Sequence, residues 1–147
     1  MIPYGLNGGL PVGSADRTRV LIYDRNDVLR RALSEFVNSQ PDLTTCGTAD
    51  DPAQALRGAA RLHPDVVVLG LSFPEPHEIR LIRELHAAAR HTRVLVLSLN
   101  SGYPSRASAG GSGALGYVEK YQPPDTVLAA IRTVAAGRPY GVDERRE

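Results

Sequence analysis

Three stretches of the chain are apolar without interruption: Val20-Leu21-Ile22-Tyr23, Val66-Val67-Val68-Leu69 and Val94-Leu95-Val96-Leu97. Successive side chains of a strand point to opposite faces. A strand-length run with no polar alternation therefore predicts a strand covered on both sides, as in a parallel sheet. Leu43 to Cys46 and Gly116 to Glu119 predict two weaker strands. Between the strands the period changes to that of a helix. Asn26 is a candidate cap for a helix with Val28, Leu29, Ala32, Leu33, Phe36 and Val37 on one stripe. Asp51-Pro52 opens a second helix, with Ala55, Leu56, Ala59 and Leu62 on its apolar face. Ile79, Ile82, Leu85 and Ala89 mark another. After Asp125 comes a last one, with Val127, Leu128, Ile131 and Val134, stopped by Gly137 and Pro139.

Strands and helices alternate throughout, which implies right-handed crossovers and a doubly wound five-stranded parallel α/β sheet. One crossover is weak. Residues 100–113 include Gly102, Gly110, Gly111 and Gly113 where topology calls for a helix. Each interior glycine costs about 1 kcal/mol relative to alanine, so this fourth helix is expected to be short or frayed. Residues 1–17, with four glycines and two prolines and no periodicity, read as a flexible N-terminal arm. The folded domain is expected over 18–139, with 140–147 a C-terminal tail or the start of a linker.

Composition narrows the possible functions. The chain has 147 residues, 42% of them hydrophobic, enough for one globular core. A formal charge of +1 gives no electrostatic footprint for nucleic acid and no pull to anionic membranes. No apolar run is long enough to span a bilayer, and Met1 to Asp16 lacks the basic and apolar regions of a secretory signal. Cys46 has no second cysteine to pair with and reads as a small buried hydrophobe. A soluble, cytoplasmic protein is expected. His63, His77, His86 and His91 have no zinc-like spacing and read as solvated surface, so no metal or cofactor is assigned to them.

In open α/β sheets, ligands bind beyond the carboxyl ends of the strands. Here those ends carry Asp24-Arg25, Gly70, Ser98 and Lys120. Taken with Pro64-Asp65, Gly113 to Lys120, Pro123-Pro124 and Ala130-Ile131-Arg132, this series resembles the receiver domains of bacterial response regulators, most closely the NarL/LuxR branch, over about residues 18–139. The resemblance implies a flavodoxin-like sheet with strand order 2-1-3-4-5. It also implies a phosphorylation pocket in which an acidic pair holds a divalent cation and a third carboxylate accepts the phosphoryl group. A Ser or Thr and a Lys complete that pocket.

Carried over by position, Asp24 keeps one acid, Arg25 replaces the other, and Gly70 stands at the phosphoacceptor. Ser98 and Lys120 are retained, and Tyr117 occupies a switch-like position. The usual three carboxylates and one lysine sum to −2, whereas Asp24, Arg25 and Lys120 sum to +1 if Arg25 turns inward. A hard cation favours several carboxylate oxygens, and phosphoryl transfer without acceptor or cation lacks its essentials. Ser72, two residues past Gly70, is a poor substitute acceptor. The expected protein is thus an atypical, phosphorylation-independent receiver and not an enzyme. It acts by homodimerisation or partner binding, and meets DNA only through an output domain absent from this chain. Three arrangements of the pocket are open: a closed site in which Asp24 is paired with Lys120 or Arg25, a positive site that binds an acidic small molecule, or a pocket with Arg25 swung out to solvent and nothing bound. A flavin or cobalamin domain is disfavoured, because Asp24-Arg25-Asn26-Asp27 has neither a phosphate-cradling glycine nor a ligating histidine.

Overall fold

The computed structural model describes residues 16–71, 76–99 and 114–141, with side chains at 76–78 left aside. The segments expected as the fourth helix and as most of the arm and of the tail, together with Ser72, lie outside the described residues. The strands are β1 (Thr18–Tyr23), β2 (Leu43–Ala49), β3 (Val66–Leu71), β4 (Arg93–Ser98) and β5 (Gly116–Glu119). The helices are α1 (Asp27–Asn38), α2 (Pro52–Leu62), α3 (Pro76–Ala88) and α4 (Pro124–Ala135), the last being the C-terminal one. All four strand pairings are parallel, in the order β2-β1-β3-β4-β5. The chain leaves β1 toward one edge and returns through β3 on the other side. A crevice therefore opens where β1 and β3 end.

The alternation of the strands divides the core in two. Leu21, Tyr23, Val67 and Leu69 pack with Ala55, Ala59, Ile82 and Leu85 on the α2/α3 face. Val20, Ile22, Val66 and Val68 pack with Val37, Val127, Ile131 and Val134 on the α1/α4 face. Among the described residues no helix is long and apolar enough to cross a membrane.

Local chemistry explains the helix starts. The Asn26 side chain accepts from the Leu29 amide at 3.0 Å, and Asp51 accepts from the Gln54 amide at 2.9 Å, each satisfying a first-turn donor. α4 instead starts at Pro124 with Pro123 in the cap position, so Asp125 lies in its first turn and does not precede it.

Four details depart from the sequence pattern. β2 continues past Cys46 to Ala49, because β1 supplies a ladder that resumes after a register shift between Thr45 and Gly47. β3 runs one residue past Gly70. In α1 only Val37 is fully buried, whereas Val28 is 74% and Phe36 43% exposed. Tyr140, assigned to the tail, is tied to β5: Tyr117 N–H donates to its carbonyl at 2.7 Å, and its own N–H reaches Leu115 at 3.2 Å. Gly141 follows at φ +75°, where a Cβ would stand 2.1 Å from the Tyr117 carbonyl oxygen.

Candidate functional site

The parity of the strands decides which strand-end residues meet. Asp24 follows Ile22, Gly70 follows Val68 and Lys120 follows Val118, so all three belong to the α1/α4 face. Ser98 follows Val96, and Tyr117 is itself buried in the opposite cluster at 2% exposure. Asp24, Gly70 and Lys120 converge. Ser98 reaches them through its backbone carbonyl, which takes the Lys120 amide at 2.7 Å.

The Asp24 carboxylate is held at both oxygens. Oδ1 accepts the Asn26 amide at 2.8 Å, and Oδ2 pairs with Lys120 Nζ at 2.9 Å. The two side chains of the ion pair are 8% and 4% exposed. Gly70 makes this placement possible, since a Cβ there would lie 2.1 Å from Asp24 Oδ2. Asp24 fills the space that a side chain at position 70 would need. Arg25 does not turn inward: it is exposed, and its Nε donates to the Tyr23 hydroxyl at 3.2 Å. The +1 sum conditional on an inward Arg25 is corrected accordingly, and the buried site is one ion pair without net charge. A guanidinium gains nothing by entering a site whose carboxylate is already paired, while the tyrosine oxygen offers it an acceptor at the rim.

These residues do not fit a divalent cation. Among the described residues Asp24 is the one carboxylate at the site and has both oxygens engaged, and the neighbouring acid, Asp27, is exposed and paired with Arg30 at 2.6 Å. Among the described residues no three histidine, cysteine or acidic side chains gather as a ligand set.

Two residues of the site escaped the sequence reading. Arg30 donates to the Asp24 backbone carbonyl at 2.7 Å, bracing the turn from α1. The i,i+3 spacing of Asp27 and Arg30 was a signal for their pair, but not for this second contact. Tyr121, next to Lys120, sits at φ +70° and is 73% exposed, and no sequence signal marks a tyrosine for that conformation. The remaining candidates are unremarkable: His63, His86 and His91 are exposed, as expected, while the His77 side chain lies outside the described residues. Cys46 is only half-buried, and burial pushes its thiol above the usual range, which keeps it protonated.

This geometry meets the comparisons with known proteins. Residues 20–132 match the response regulator receiver domain family. The chain belongs to that family. It is 28% identical over 118 residues to the nitrate/nitrite response regulator protein NarL of Escherichia coli, covering 80% of this chain and 55% of that protein. It is 31% identical to the DNA-binding transcriptional activator DevR/DosR of Mycobacterium tuberculosis, covering 82% and 55%. Among solved structures, a LuxR-family two-component response regulator from Aurantimonas superposes with a TM-score of 0.77 at 27% identity, covering 84% of this chain and 89% of that one. The chain spans about half the length of the curated relatives it matches.

Proposed function

We propose that this domain is an atypical receiver that works without phosphorylation, as a regulatory binding module and not as an enzyme. The observation that supports it best is the Asp24 carboxylate lying in the space beside Gly70 while paired with Lys120. The position of the phosphoacceptor has no nucleophile, and the lysine that would meet a phosphoryl group is already neutralised. In this reading Asp24, Arg25, Gly70, Ser98 and Lys120 are a degenerate phosphorylation pocket, and Tyr117 is a switch position held in its buried state. The domain forms a homodimer in the cytoplasm and positions an output domain outside these residues, which contacts DNA as the relative named a DNA-binding activator does. Ala129 on α4 and Ala136 just past its end are exposed and allow close approach of a partner, whereas Ala130 is fully buried.

The test is intact-mass spectrometry and light scattering on the domain with acetyl phosphate and magnesium. The expected result is a concentration-dependent dimer, unchanged by the phosphodonor and carrying no phosphoryl mass. A phosphorylated species whose oligomeric state shifts would overturn the proposal. The alternative of a positive pocket for an acidic ligand loses support, because the exposed Arg25 leaves the buried pair neutral.

A further inference from the structure

The apolar stripe of α1 is not fully covered. Between α1 and α4 lies a slot of about 190 Å³, walled by Leu29, Ala32, Leu33 and Phe36 on one side and Pro124 and Val127 on the other. Its floor is the apolar α1/α4 face of the sheet. At the strand ends it reaches Asp24, Gly70 and Lys120, and Phe36 closes the other end while remaining 43% exposed.

Two properties of the slot define what it would accept. Its size is that of a small ring, since an apolar cavity of about 150 Å³ can hold benzene. Lys120 lines its strand-end side, and the lysine ammonium has three donors, one of which is on Asp24 Oδ2 at 2.9 Å. Among the described residues no other acceptor meets Nζ, although the side chain is only 4% exposed. Buried donors favour a partner. The pair is already neutral, so a second carboxylate would face Asp24 with no cation left to balance it. An uncharged carbonyl oxygen has no such conflict.

We infer that the slot between α1 and α4 is a binding site for a neutral, single-ring molecule bearing one carbonyl acceptor. The ring lies against Leu33, Phe36 and Val127, and the carbonyl oxygen takes a donor from Lys120. This goes beyond the phosphorylation-independent reading and fails separately from it. A receiver indifferent to a phosphodonor need not have a ligand, and acetyl phosphate tests that reading alone.

The experiment is titration of the full chain, followed by amide 1H–15N spectra, with four probes: benzamide, benzoate, toluene and acetamide. Benzamide is expected to bind saturably with a dissociation constant on the order of 1 mM, shifting Leu33, Phe36 and Val127. Toluene, benzoate and acetamide each bind at least about tenfold more weakly. Ala32→Leu fills the slot from an exposed helix position and abolishes the benzamide shifts. Ala60→Leu, exposed on α2, leaves them unchanged. The inference is overturned if benzamide gives no saturable shift, if Ala32→Leu leaves its binding intact, or if benzoate or toluene binds as well. It is equally overturned if Phe36→Ala dissociates the dimer while benzamide does not bind, because the slot then belongs to a second copy of the chain.

Discussion

Among the described residues, two carboxylate–cation pairs join separate elements on the α1/α4 side of the sheet, one at each end. At the carboxyl ends of the strands, Lys120 and Asp24 meet at 2.9 Å with side chains 4% and 8% exposed. At the amino end, just before β2, Arg132 of α4 grips Asp42 with two nitrogens at 2.8 and 3.0 Å and reaches Gln40 at 2.9 Å. The second pair has the better geometry, bidentate and reinforced by a third group. Yet its side chains are 42% and 50% exposed, and water competes for every contact. Good geometry in water stabilises little. An ordinary geometry out of water makes each partner dependent on the other. The inner pair is therefore a constraint on what this site can become, whereas the outer pair is a replaceable fastening.

Removing one inner partner gives the largest expected effect. Lys120→Met leaves a buried carboxylate without its cation and costs about 3–5 kcal/mol of unfolding free energy, measured by urea titration. Adding Asp24→Leu restores most of that loss, since an apolar pair can replace a buried ion pair. If the single variants each lose under about 1 kcal/mol, the inner pair is solvated in solution and the contrast with Arg132–Asp42 disappears. Gly70→Ala comes next. Its Cβ would stand 2.1 Å from Asp24 Oδ2, so the carboxylate must turn away from Lys120. The expected loss is about 1–3 kcal/mol by the same titration. No loss would mean that Asp24 has another place to go.

The contrast also shows what the residues disclose before folding. The buried strands were legible because Val66 to Leu69 can be satisfied only where both faces are covered. The helix starts at Asn26 and Asp51 were legible because a cap is local chemistry. A glycine at position 70 and an arginine at position 25 could be seen at the strand ends. The Asp24–Lys120 pair was one of the arrangements those ends left open, but that Asp24 Oδ2 would lie in the space beside Gly70 could not be seen, because it depends on how the side chains pack. A periodic stripe gave α1 an apolar face, but Val28 and Phe36 stay exposed because periodicity says nothing about whether another element arrives to cover that face. Arg132 counted toward the family resemblance, yet its grip on Asp42, 90 residues away, left no trace in either local pattern.

The outer pair should give the smallest effect, with a pH dependence that tests its nature. The Arg132 guanidinium, through its side-chain hydrogen bonds, holds the Asp42 carboxyl below its ordinary value, and Asp42 in turn raises Arg132. A carboxyl lowered in the folded state binds its proton more readily when unfolded. Its stabilisation is complete above the unfolded value of about 3.9 and fades as pH falls through the lower folded value. Arg132→Ala is therefore expected to cost less than about 1 kcal/mol at pH 7, after allowance for the exposure of both side chains. The difference from the parent chain should vanish as Asp42 is protonated in both. Raising the salt shortens the screening length from about 10 Å at 0.1 M to about 3 Å at 1 M, and should shrink the same difference at neutral pH. The loss caused by Lys120→Met should hardly respond to salt, since ions do not enter the space beside Gly70. If instead Arg132→Ala is salt-independent and as costly as Lys120→Met, the clamp excludes water in solution, and both ends of the α1/α4 seam would then have to be treated as buried.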